Sequence, residues 1–246
     1  HEVVFTVREH PDTLALAKIL GETPVIVGRY SPTSLFTRLE ESANRMLHFT
    51  KLFKDNAPDI AISHQSVDLC RVAFGLNIPI ILTADTPYAE AVNKLTIPLA
   101  DTLVVSKAIP QHVFKRYGTK KINQFNGVDE VAWMQNFKPS QKYEFAKPLI
   151  IVRQMEAKAS YALGRVDVTE KLAQKLKTLG NVLFISRYNA QERKGLLSTK
   201  SFVDTAELVA SADLVVGMGG TIVREAALQG IPSIVLELGR TYVNEY

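Results

Sequence analysis

Short apolar runs alternate with amphipathic stretches along most of this chain. His1 to Val7, Pro24 to Gly28, Asp59 to Ser63, Ile78 to Ala84, Thr102 to Ser106 and Lys121 to Phe125 each read as a strand. Between them lie helix patterns. Pro11 to Leu20 starts on a proline and stops at Gly21, and Ser31 to Asn56 carries Leu35, Leu39, Ala43, Met46, Leu47 and Phe53 near helical spacing. Val67 to Leu76, Pro87 to Ala100, Gln111 to Tyr117 and Val128 to Asn136 complete the first set. Residues 138–148 are polar, hold two prolines and show no period, which predicts a linker between domains 1–137 and 149–246. The alternation then resumes. Strands are predicted at Leu149 to Val152, Asn181 to Ser186, Leu214 to Val216 and Ile234 to Leu236. Helices are predicted at Val168 to Leu179, Gln191 to Leu197, Asp204 to Ala212 and Ile222 to Gln229. Strands alternating with helices form βαβ units on a parallel sheet. The expected fold is therefore α/β, with two Rossmann-like parallel-sheet domains facing a cleft.

Composition narrows the function classes without choosing among them. The 246 residues are 46% hydrophobic and 22% charged, which is globular. The net charge of +4 is dispersed, with +1 over residues 1–146 and +3 over 147–246, so no nucleic-acid partner is expected. The single cysteine, Cys70, sits in an apolar helical pattern and reads as a core residue in a reducing compartment. No apolar run is long enough for an integral membrane segment and no signal peptide is visible, so a cytoplasmic location is expected. The five histidines lack paired metal-ligand spacing; no metal or other cofactor is expected.

The most informative stretch is Ser211 to Val235, a strand, a glycine turn, a helix and another strand. Gly217, Gly219 and Gly220 allow backbone angles and close approaches that a side chain forbids. Thr221 is placed as the N-cap of a helix closed by Gly230 and Pro232. Free N–H groups and the positive dipole end at such a helix start suit a phosphate. Arg224 in the first turn opposes that dipole; it is either solvated or offset by Glu225, or it faces an anion. Alone, the stretch is also compatible with an ordinary tight βα turn, since it is neither G-x-G-x-x-G nor a Walker loop.

Ligands of open parallel sheets bind beyond the carboxyl ends of the strands. His64, Asp85, Lys107 and Asn126 occupy those positions in the first half, and Arg153, Glu156, Arg187, Tyr188 and the glycine turn occupy them in the second. Asp85, His64 and Glu156 are the candidate catalytic acid/base groups. Each also has a plain alternative. Asp85 could cap a helix or turn, His64 could be a bonded loop residue, and Arg153 with Glu156 could be a local ion pair. Trp133 reads as a core filler.

Residues 217–232, Gly-Met-Gly-Gly-Thr-Ile-Val-Arg-Glu-Ala-Ala-Leu-Gln-Gly-Ile-Pro, resemble nucleotide-sugar enzymes of the glycosyltransferase B fold. These include the hydrolysing UDP-N-acetylglucosamine 2-epimerases and the lipid II-forming N-acetylglucosaminyltransferase. An archaeal and bacterial family with a domain of unknown function, related to both, looks most similar. Ser63-His-Gln-Ser66, Ala84-Asp-Thr-Pro87, Leu95 to Asp101, Asn126-Gly-Val-Asp-Glu130, Val152-Arg153 and Ala159-Ser-Tyr161 agree with it, so the resemblance spans nearly the whole chain. It implies a glycosyltransferase B-like fold. It implies that Gly219, Gly220 and Thr221 face the diphosphate of a UDP-type nucleotide sugar, that Arg153 pairs with phosphate or stabilises a leaving diphosphate, and that Glu225 holds ribose hydroxyls; Gly217 and Arg224 are further candidate nucleotide-sugar-binding residues. Three departures accompany it. No serine precedes the glycine pair, Arg224 replaces the first of two adjacent glutamates, and the chain starts one βα unit late and ends early by comparison.

The expected function is that of a nucleotide-sugar-binding, glycosyltransferase-like protein that transfers a sugar to an acceptor still to be identified, or epimerises it. The alternative is a non-catalytic nucleotide-binding or scaffold protein of the same fold.

Overall fold

The computed structural model describes residues 2–30, 34–140, 143–157, 166–187, 193–199, 202–236 and 242–245. The chain forms two compact units, His1–Asn126 and Gly127–Tyr246. The first unit runs β1 (Thr6–Glu9), α1 (Pro11–Ile19), β2 (Val25–Arg29), α2 (Leu35–Asp55), β3 (Ala61–His64), α3 (Val67–Gly75), β4 (Ile80–Thr83), α4 (Glu90–Thr96), β5 (Thr102–Ser106), α5 (Gln111–Lys115) and β6 (Ile122–Phe125), with a 3-10 turn at Ile97–Leu99. All its pairings are parallel: β1 with β2, and β3-β4-β5-β6 as a four-stranded sheet. In-register pairs such as Leu82 with Leu103 bury both side chains completely. Helix α2 opens on a capping box in which Ser34 and Thr37 satisfy each other's N–H groups. It is tied to α3 by Arg45 and Ser42, which both donate to the Asp68 carboxylate.

The second unit runs α6 (Val131–Met134), β7 (Leu149–Arg153), α7 (Thr169–Leu176), β8 (Asn181–Ile185), β9 (Leu197–Ser198), α8 (Thr205–Val209), β10 (Leu214–Gly217), α9 (Thr221–Leu228), β11 (Ser233–Val235) and α10 (Tyr242–Glu245). Its sheet is parallel in the order β11-β10-β7-β8-β9. Residues 149–152, 182–185 and 214–216 are apolar throughout, as expected of strands covered on both faces. Side-chain alternation sends Leu149, Ile151, Leu183 and Val215 into one cluster with Leu208, Ile222 and Ala226 from α8 and α9. Ile150, Val152, Phe184 and Val216 enter the opposite cluster with Ala173 from α7.

Residues 138–148, expected to form a linker, belong to the second unit. The main-chain N–H and hydroxyl of Ser140 both donate to the buried Glu207 carboxylate on α8, each at 2.8 Å. Tyr143 and Phe145 stack and pack against the first cluster. Of the helix expected over Gln191 to Leu197, only Gln191 and Glu192 lie outside the described residues; Lys194 and Gly195 form a turn instead, and Leu197 joins the edge strand β9 beside Leu183. No helix among the described residues is long and apolar enough to cross a membrane.

Gly180, at the turn into β8, has no room for a side chain: a Cβ there would sit 2.6 Å from the Pro148 carbonyl oxygen. Gly180→Ala is expected to cost about 1–3 kcal/mol through this overlap. Urea unfolding should show a lower midpoint at unchanged slope.

Candidate functional site

In the second unit, β10 and β7 lie side by side with Val216 opposite Val152. This register carries Gly217 to the level of Arg153. A Cβ on Gly217 would lie 3.7 Å from the Arg153 Cβ and 3.2 Å from the Val223 side chain, so the glycine lets strand and helix close together. Gly219 and Gly220 follow with φ of 89° and 88°, the left-handed region that favours glycine. Gly220, not Thr221, is the N-cap of α9, and no side chain caps the helix. Thr221 is the first helical residue because the positive φ at Gly220 makes the turn. The first N–H groups of α9 therefore lack intrahelical acceptors, as at any helix start. Asn244 of α10 reaches the turn: its Nδ2 lies 3.0 Å from where a Gly219 Cβ would be. Arg153 Nη1 donates to the Ser186 carbonyl at 3.0 Å, which fixes its guanidinium at the carboxyl ends of β7 and β8.

Arg224 and Glu225 are held by residues almost a hundred positions earlier. Arg224 Nε and Nη2 both reach Glu130 Oε1 at 2.7 Å, and Nη1 donates to Asn244 Oδ1 at 3.3 Å. Glu130 is 1% exposed. The neighbouring Glu225 accepts from Trp133 Nε1 at 3.0 Å and from Thr205 Oγ1 at 2.7 Å, and is itself 5% exposed. Burial pushes the Glu225 carboxyl above its ordinary range. The bonds from Thr205 and Trp133 oppose this, and the charges of Asp204 and Glu130 add to it. Helix α6 is thus fastened to α9 at two points, through Glu130 and Trp133. Trp133 fills no core: it is 47% exposed, with its indole N–H turned inward to Glu225.

Glu156 pairs with Arg187 at 3.1 Å. Gln154 supports the same arginine, taking the Arg187 main-chain N–H on its side chain and Nε on its carbonyl, at 2.9 and 3.0 Å. Arg187 follows Ile185, the partner of Arg153 across β7 and β8, so two arginines lie at adjacent strand ends. Tyr188 and the motif residues Ser160 and Tyr161 lie outside the described residues.

In the first unit, the parallel register of β3 and β4 sets His64 opposite Thr83. The His64 Nδ1 and Thr83 Oγ1 are 2.8 Å apart, and His64 Nε2 lies 3.8 Å from Asp85 Oδ1. Asp85 also accepts from Thr86 Oγ1 at 2.8 Å. It caps no helix, since α4 starts at Glu90. The loop bearing Asp85 is braced by Asn93, which is fully buried, donates to the Thr86 and Pro87 carbonyls and accepts from Gln65. Gln65 holds φ of 48°, an uncommon conformation for a side-chain-bearing residue, directly after His64. The structure brings His64 and Asp85 together. Lys107 and Asn126 are both exposed, at the ends of β5 and β6. Among the described residues no group of three or more His, Cys, Asp or Glu could hold a metal ion.

A family model described as a protein of unknown function, DUF354, matches residues 1–242. The chain belongs to the DUF354 family. An uncharacterised protein of Methanocaldococcus jannaschii, MJ0665, is 31% identical over 95% of this chain and 73% of its own. Among solved structures, the UDP-GlcNAc 2-epimerase of Neisseria meningitidis bound to UDP-GlcNAc superposes with a TM-score of 0.68 at 17% identity, covering 99% of this chain and 76% of that one. The Streptomyces sp. SF2575 glycosyltransferase SsfS6, complexed with thymidine diphosphate, gives a TM-score of 0.55 at 18% identity over 100% and 76%. At these identities the likeness establishes the fold: this DUF354 chain has the parallel α/β units of glycosyltransferase B-type proteins.

Two consequences are measurable. Glu130→Ala strips Arg224 of its buried carboxylate and is expected to cost about 3–5 kcal/mol. The double variant Glu130→Gln, Arg224→Met should recover most of that loss in chemical unfolding. Glu225, with a raised folded-state carboxyl, contributes stability that is full below the unfolded value of about 4.3 and is lost as pH rises through the folded value. Glu225→Gln keeps an acceptor for Trp133 and a partner for Thr205 without the charge. Its melting temperature should match the wild type near pH 4 and gain on it towards pH 8. A constant difference across that range would contradict the raised carboxyl.

Proposed function

We propose that this protein binds a UDP-type nucleotide sugar on its second unit and transfers or epimerises the sugar. The observation that carries the reading is the α9 start: an uncapped helix N-terminus behind two positive-φ glycines, with Arg153 against the same turn. N–H groups and a dipole end stabilise phosphate oxygens, and a fixed guanidinium adds a charge-assisted partner. The solved neighbours support the reading from a second side, since one is bound to UDP-GlcNAc and another is complexed with thymidine diphosphate.

In this reading Gly217, Gly219, Gly220 and Thr221 cradle the diphosphate, and Arg153 neutralises it as it departs. Arg224 does not reach for the anion: it holds Glu130. Glu225 has taken one donor on each oxygen, and the second lone pair on each can accept a ribose hydroxyl. Proton transfer falls to His64 and Asp85 on the first unit and to Glu156 on the second. In sugar transfer, Asp85 removes a proton from the acceptor hydroxyl. In epimerisation, these groups remove and return a proton at the sugar carbon as the nucleotide is eliminated and re-added. A binding protein without turnover shares the diphosphate cradle and differs at the proton-transfer groups.

Calorimetry with UDP should give saturable one-to-one binding, weakened about tenfold or more in Arg153→Ala through the lost charge-assisted bond. Absence of heat from UDP would overturn the reading. Product analysis with UDP-GlcNAc then separates turnover from binding. His64→Ala and Asp85→Asn should abolish products while UDP affinity holds.

A further inference from the structure

Trp133 is the residue whose placement the packing of the fold leaves unexplained. It is the chain's single tryptophan. A large aromatic used as core would be covered, yet 47% of this one is exposed. Its orientation is nevertheless fixed, because its Nε1 donates to a carboxylate that is almost fully buried and is itself held by Thr205. The anchoring also reaches the helix below, since Glu130, three residues earlier, grips Arg224. An exposed indole held by its edge presents a rigid aromatic face at little conformational cost.

The position of that face is informative. Glu225 lies five residues beyond the Gly220 cap, which at a rise of 1.5 Å per residue is about 7 Å along α9 from the phosphate-accepting turn. That separation is of the order that one ribose spans between a diphosphate and its base. The indole in turn is bonded to that carboxylate, the group suited to ribose hydroxyls. Phosphate, ribose and base would therefore be met in sequence by the glycine turn, by Glu225 and by Trp133.

We infer that Trp133 is a nucleoside-recognition residue whose indole stacks on the base of a bound nucleoside diphosphate, with Glu225 setting its orientation. The inference rests on the nucleotide reading above and extends it to the base. Stacking accepts any base with a π face, so the ligand class is a nucleoside diphosphate rather than uridine alone. The bond to Glu225 engages the indole's one donor and leaves the ring face as the recognition surface.

A single tryptophan makes the test direct. Titration with UDP, followed in parallel by calorimetry and tryptophan fluorescence, should give a saturable fluorescence change at the calorimetric affinity. Inorganic pyrophosphate, lacking ribose and base, should displace UDP with little change of its own. Trp133→Phe and Trp133→Leu both remove the bond to Glu225, but only Leu removes the aromatic face. Phe should keep UDP affinity within about threefold, and Leu should lose about tenfold or more. Pyrophosphate affinity should be the same in all three proteins, which also shows that each is folded. UDP binding with unchanged fluorescence, or equal losses in Phe and Leu, would overturn the stacking role and leave the diphosphate cradle standing. No UDP binding by the wild type would overturn both.

Discussion

The second unit depends on a polar joint between α6 and α9. Glu130 and Trp133 reach across to the adjacent residues Arg224 and Glu225, and both carboxylates are buried. A buried charge without its partner is costly, so the joint is stable only when complete. It also settles an apparent conflict in the sequence. Arg224 lies in the first turns of a helix, where the dipole disfavours a cation. Glu130 supplies the opposing charge from elsewhere in the chain. The start of α9 itself carries no side-chain cap.

The sheet supplies the rest of the site. Parallel pairing of β10 with β7 fixes Gly217 beside Arg153, and pairing of β7 with β8 sets Arg153 next to the strand that delivers Arg187. None of this needs a specialised fold. Right-twisted parallel strands all end at one edge, and whatever follows their last residues gathers there. In the first unit the same rule sets His64 opposite Thr83 and within 3.8 Å of Asp85. Function on such a scaffold is decided by a few residues at those ends, which is why similar folds carry epimerases and glycosyltransferases alike.

The strands were legible because their local pattern is strong. Leu149 to Val152, Leu214 to Val216 and Thr102 to Ser106 are short apolar runs, and each forms a parallel strand. The glycine turn was legible for the same reason, apart from its cap, where the positive φ of Gly220 displaced Thr221 by one position. Trp133 was not legible. An aromatic in a short amphipathic segment looks like core, and its partner Glu225 lies 92 residues away. Arg224 and Glu130 are 94 apart, and no local rule pairs them. Residues 138–148 look like a linker because they are polar and rich in proline. Their Tyr143 and Phe145 nevertheless pack against the core, and Ser140 adds two bonds to Glu207. Long-range polar contacts are thus where sequence patterns stop and packing takes over.

The central claim is that the start of α9 holds a diphosphate. A crystal structure of the protein soaked with UDP tests it most directly. The account predicts diphosphate density against the main-chain N–H groups of Gly219, Gly220 and Thr221, with Arg153 alongside. UDP density at any other place, with this turn left bare, would contradict it.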